Sequence, residues 1–140
     1  MASIVRYRKY VDALITRTLR LPQAPDGRET LGQELAELDD GYTYVSLPDG
    51  AVLPPEQPAE IAASIEPVAR DPVLREELKV ASPHVRLINQ RVRERIAARY
   101  TVEEEIKLLR TAPSVEFEAY NAYAEDCRAW GRAEKAKLGL

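Results

Sequence analysis

Apolar and polar residues alternate in the first segment of the chain: Val5, Tyr7 and Val11 with Arg6, Arg8 and Asp12, then Ile15, Leu19 and Leu21 with Thr16, Thr18 and Arg20. A period of two is the signature of a half-buried strand. Ile4, Tyr7, Val11 and Leu14 would also fit a helix, but β-branched and aromatic residues are dense here. The expectation is therefore a hairpin turning near Asp12-Ala13. A second hairpin is expected from Gly41-Tyr42-Thr43-Tyr44-Val45-Ser46-Leu47, the turn Pro48-Asp49-Gly50, and a return along Ala51-Val52-Leu53. There Pro presets the turn and Gly supplies positive φ. Ala24-Pro25-Asp26-Gly27 has the same turn chemistry without enough flanking similarity to make a repeat. Thr30 to Leu38 reads as a short helix, and Ile61 to Val68 fits either strand or helix.

The pattern changes near Pro67 to Pro72. Eight of the ten prolines and four of the six glycines lie at or before Pro72, so longer uninterrupted helices are expected beyond it. Asp71-Pro72 and Ser82-Pro83 each pair an N-cap with proline at the first helical position, and Thr101-Val102-Glu103-Glu104 is a capping box. A further helix is expected from Ser114 to the mid-130s, ending before Gly139. Val85, Ile88, Val92 and Ile96 recur at helical spacing, as do Val102, Ile106 and Leu109, and Tyr120, Ala124, Cys127 and Gly131. These three stripes are the expected helical core. The fold class is α+β, with N-terminal β-hairpins followed by a C-terminal array of three to four helices. Residues 1–70 form the β-rich segment and 71–140 the helical one, as one structural unit or two closely packed halves.

Composition narrows the functional classes. At 140 residues with 45% hydrophobic and 31% charged residues, the chain is expected to fold as a globular protein. A net charge of −3 does not point to a polyanionic partner, so neither nucleic acid nor membrane is expected. The single cysteine, Cys127, excludes an intrachain disulfide, which fits a reducing cytosol. Charge interrupts the apolar residues of the N-terminus before a signal-peptide core forms, and no run approaches the length of a membrane span.

Candidate chemistry is sparse. His84 and Cys127 supply only two soft metal ligands, whereas a structural zinc needs four and a catalytic zinc three. Cys127 sits on the stripe of Tyr120 and Ala124, which is where a packed thiol belongs. Glu37, Asp39 and Asp40 lack calcium-loop spacing and read as a solvated turn. No nucleophile elbow, Walker loop or dinucleotide glycine pattern occurs. Expectation is thus a non-enzyme with no catalytic residues, no cofactor and no metal. Arg86, Arg91, Arg93, Arg95 and Arg99 make one helix basic, and Glu103, Glu104 and Glu105 are expected to neutralise it within the fold or across a subunit contact. Phe117, Tyr120, Tyr123 and Trp130 span more than one face of the last helix, so Tyr123 and Trp130 exceed the needs of one core stripe. They are candidate protein-interaction residues, together with Arg91 and Arg95 on the Arg-rich helix and Tyr42 and Tyr44 on the second hairpin.

The stretch Ser82 to Leu140, with Arg99-Tyr100-Thr101-Val102-Glu103-Glu104-Glu105 and Glu118-Ala119-Tyr120-Asn121-Ala122-Tyr123, resembles the C-terminal part of small proteins from the tail gene cluster of tailed bacteriophages. Leu47-Pro48-Asp49-Gly50 is similar to the same group. The resemblance implies a non-catalytic structural adaptor near the tail tip or fibres. Such an adaptor would be made in the host cytoplasm, bind other phage tail proteins and act as a homo-oligomer in a symmetric assembly. Alternatives are a tail-fibre assembly chaperone not retained in the virion, or a phage regulator that binds a host protein.

Overall fold

The computed structural model describes residues 2–140. The chain is α+β, with N-terminal strands followed by C-terminal helices. The strands are β1 (Ser3–Tyr7), β2 (Tyr10–Val11), β3 (Thr16–Arg17), β4 (Gln33–Glu37), β5 (Thr43–Leu47) and β6 (Glu66–Pro67). The helices are α1 (Ala59–Ala62), α2 (Pro72–Ala81), α3 (Pro83–Arg99), α4 (Val102–Arg110) and α5 (Val115–Lys137). Two compact units emerge, one of residues 2–84 with 136–140 and one of residues 85–135. The change in secondary structure near residue 70 and the boundary between units at 84 therefore differ, because α2 packs against β4.

In the first unit β4, β5, β1 and β6 form one antiparallel sheet in that order. The register places Val5 opposite Val45 and Tyr7 opposite Thr43. Alternation therefore puts Val5, Tyr7, Val45 and Leu47 on one face. Leu19 and Ile61 complete that core cluster, with Leu21, Leu53 and Ile65 packed at its margin. Arg6, Tyr44 and Ser46 alternate onto the other face.

Several expectations change here. A hairpin does turn at Asp12, where Asp12 N donates to Ile15 O at 3.0 Å, but it joins only the short, exposed strands β2 and β3. Of the alternating residues before it, Val5 to Tyr7 belong to β1, which pairs with β5 and β6 instead. The Pro48 turn also forms, with Ala51 N donating to Pro48 O at 3.0 Å and Gly50 at φ 77°. Ala51 to Leu53 nevertheless forms no strand, since Pro54 and Pro55 follow at once and cannot donate to a ladder. The true partner of β5 lies upstream. Thr30 to Leu38, expected as a helix, contains β4, joined to β5 through Leu38–Tyr42 with Leu38 N donating to Tyr42 O at 3.0 Å. Burial of Leu35 and Ala36 in the sheet outweighs the helix propensity of Glu, Leu and Ala, a difference of tenths of a kcal/mol per residue. Ile61 to Val68 divides into the end of α1 and the strand β6.

The helix starts follow local chemistry. Asp71 Oδ1 accepts from Val73 N at 3.0 Å, Thr101 Oγ1 from Glu104 N at 3.1 Å, and Ser114 Oγ from Phe117 N at 3.0 Å. Ser82 is the exception: fully buried, it ends α2 by donating its N–H to Leu78 O, and its Oγ has no partner among the described residues. In the second unit Ile96, Tyr120, Ala124 and Cys127 form the core cluster, flanked by Val92, Tyr100, Leu108, Phe117 and Tyr123. Two of the expected stripes thus hold. The third does not: Val102, Ile106 and Leu109 are 70%, 46% and 59% exposed, and α4 packs through Leu108 instead.

Candidate interaction surfaces

Three groups of side chains stand out. The first knits α5 to α3. Arg95 lies with its guanidinium carbon 3.8 Å from the centre of the Trp130 ring, and Arg99 lies 4.6 Å from that of Tyr123. The Tyr123 hydroxyl donates to the Arg95 carbonyl at 2.9 Å. Desolvation raises the Tyr123 phenol above its ordinary value, and a hydrogen bond with Cys127 adds to it. Tyr100 stacks edge-on to Tyr120 at 5.0 Å, extending the ring cluster. Tyr123 and Trp130, expected as outward anchors, are half-buried and spend one face on the arginines of α3. Of the arginines on this helix Arg95 and Arg99 stand over rings, and among the described residues no ion pair joins Glu103, Glu104 or Glu105 to Arg91, Arg93, Arg95 or Arg99. Arg91 is exposed on the same helix.

The second group lies on the polar end of the sheet. Arg6 pairs with Glu66 across the β1–β6 ladder, its Nη2 2.6 Å from Oε1, and reaches the Tyr44 hydroxyl at 3.5 Å. That hydroxyl donates to Asp40 Oδ2 at 2.6 Å, and Asp40 Oδ1 accepts from Tyr42 N at 2.8 Å. The guanidinium carbons of Arg6 and Arg8 each stand 4.2 Å from the centre of the Tyr42 ring. Desolvation opposes ionisation of Asp40, but Tyr44, the Tyr42 N–H and the charges of Arg6 and Arg8 outweigh it, so its carboxyl lies below its usual value. Burial raises the Tyr44 phenol, and its bond to Asp40 raises it further. Tyr44 is 1% exposed and is a structural strut, whereas half-buried Tyr42 keeps part of its ring accessible.

The third group was legible in sequence only as a core stripe. Val102, Ile106 and Leu109 form an outward apolar row on α4. Glu103, Glu104 and Glu105 lie at the N-terminal end of this helix and Lys107 and Arg110 at its C-terminal end, complementing its dipole. On its packed side, an open groove of about 640 Å³ runs past Tyr100, Leu108, Thr111 and Ala119.

Among the described residues no group of three His, Cys, Asp or Glu is placed to hold a metal ion, and no helix is long and apolar enough to cross a membrane. His84 Nδ1 accepts from Gln33 Nε2 at 2.9 Å, and Cys127 is buried in the second core. No protein-family model, curated protein or solved structure matches the chain.

Proposed function

We propose that this protein is a non-catalytic structural adaptor of a bacteriophage tail, placed near the tail tip or fibres and acting through protein–protein contacts. The observation that carries the interaction role is the apolar row of α4. Three large aliphatic side chains at helical spacing face water, and an exposed apolar row of this kind is typical of a surface that a partner covers. The resemblance of the segment Ser82 to Leu140 to tail-cluster proteins supplies the setting. Other tail proteins and further copies of the chain are the partners in this reading.

Mass spectrometry of purified virions tests the setting, and the same particles assembled with Ile106→Lys test the surface. A stoichiometric wild-type protein that is lost from particles on Ile106→Lys is the expected result. Abundance in infected cells with absence from particles would instead support an assembly chaperone or a regulator.

A further inference from the structure

The two edges of the main sheet are built differently. β6 is two residues long and includes Pro67, which has no N–H to offer a neighbouring strand. β4 is five residues long, contains no proline, and among the described residues has a ladder only with β5. Among the described residues its backbone makes no hydrogen bond outside that ladder, although α2 packs beside the strand, so unpaired backbone groups remain on its outer side.

Two adjoining cavities run beside this open edge. One, of about 370 Å³, is lined by Glu34 to Glu37 of the strand and by Ala81, Pro83 and His84. The other, of about 940 Å³, continues between Leu38 to Asp40 and the outer face of α2, where Val73 and Val80 are 66% and 73% exposed. Glu37 and Ala81 line both, so the cavities form one trough with a strand edge on one wall and a helix on the other. An extended peptide adds to a sheet in such a trough: its backbone bonds the edge, and alternate side chains enter the groove.

Charge selects the occupant. The trough is lined by Glu34, Glu37, Asp39, Asp40, Glu76 and Glu77 and by no Lys or Arg. Lys9 pairs with Glu34 and Lys79 with Glu76, and Asp40 is held by Tyr44, but Glu37, Asp39 and Glu77 make no ion pair among the described residues. A second copy's β4 would set Glu34 and Glu37 against their own kind. Those charges repel self-pairing and favour a strand of opposite charge.

We infer that the open edge of β4 and the trough beside α2 bind an extended cationic segment of a partner protein, in which Lys or Arg alternates with apolar residues. The apolar residues meet Val73, Val80 and Ala81, and the cations meet Glu37, Asp39 and Glu77. This site is distinct from the apolar row of α4 and stands whether or not the protein belongs to a tail.

The test is selection of random displayed dodecapeptides on the full chain, with Asp39→Lys/Glu77→Lys as the counter-target. Both positions are exposed, and an amide spectrum of that variant checks its fold; should it fail, Asp39→Asn/Glu77→Gln replaces it. The expected result is enrichment of peptides with alternating Lys or Arg that shift the amides of Gln33 to Glu37 and bind the counter-target at least about tenfold more weakly. Methylating alternate backbone nitrogens of a selected peptide should abolish binding. Absence of enrichment over the counter-target, shifts located away from β4, or undiminished binding of the methylated peptide each overturns the inference.

Discussion

Gly131 of α5 lies so close to Val92 of α3 that a β-carbon on the glycine would stand 2.7 Å from Val92 Cγ2. The helix backbone at Gly131 is ordinary, so the requirement is one of space and not of φ. Ile88 Cγ2 lies 3.8 Å from the same point, which leaves Val92 as the side chain that must move. Gly131→Ala gains helix propensity worth about 1 kcal/mol, while forcing a methyl into a packed interface costs about 1–3 kcal/mol. Urea unfolding should therefore show a net loss of stability, and Gly131→Ala combined with Val92→Ala should recover part of it.

Tyr123 separates a packing role from an anchoring one. Tyr123→Phe keeps the ring beneath Arg99 and removes the hydroxyl with its bonds to Arg95 O and Cys127, so a loss of about 0.5–1.5 kcal/mol is expected. Tyr123→Ala removes both, and melting of the isolated chain should fall further. An unchanged melting temperature for Tyr123→Ala would return this ring to the role of a free interface anchor.

On α4 the two sides of the helix should respond oppositely. Ile106→Lys changes an exposed row and should alter stability by no more than about 0.5 kcal/mol while weakening partner binding. Leu108→Ala removes a side chain packed against the second core and should cost about 1–3 kcal/mol, less than a fully buried leucine because it is partly exposed. Chemical denaturation and copurification on the same two variants check this.

Acid sensitivity should trace in part to Asp40. Its folded carboxyl titrates below its unfolded value, which is about 3.9. Its contribution to stability is therefore complete above that pH and is lost as the pH falls through the lower, folded value. Asp40→Asn lacks the titrating carboxyl, so thermal melting between about pH 6 and pH 2 should decline less steeply for Asp40→Asn than for the unaltered protein.

Cys127→Ser should lower stability modestly, by about 1–2 kcal/mol, since the buried site would hold a hydroxyl in place of a thiol. Binding of partners should be retained. A folded Cys127→Ser protein with no binding would show that the thiol does more than pack.

Local chemistry was legible wherever its partners lie within a few residues. Asp71, Thr101 and Ser114 accept the backbone donors that cap their own helices, and Pro48-Asp49-Gly50 makes its turn. The stripe Tyr120, Ala124, Cys127 and Gly131 was also legible, because small and aromatic residues at one helical spacing leave a single face to bury. Partner choice was not. β5 pairs with β1 and β4, forty or so and about ten residues upstream, instead of with the segment after its turn. Nothing local to Thr30–Leu38 outweighs its helical composition until β5 is beside it.

The candidate surfaces divide in the same way. Tyr123 and Trp130 were singled out as rings beyond one core stripe, Arg91 and Arg95 as part of the Arg-rich helix, and Tyr42 and Tyr44 as part of the second hairpin; the structure sets Arg95 and Trp130 against one another and bonds Tyr44 to Asp40. The amino-acid sequence by itself determined the α+β class, the helix starts and the small-residue face of α5, since each follows from backbone geometry and nearest neighbours. Only the tertiary structure decided which edge of the sheet stays open and which side of α4 faces water. A nine-residue helix carrying Leu108 on one side and Val102, Ile106 and Leu109 on the other can bury either, and the choice belongs to the helices it meets.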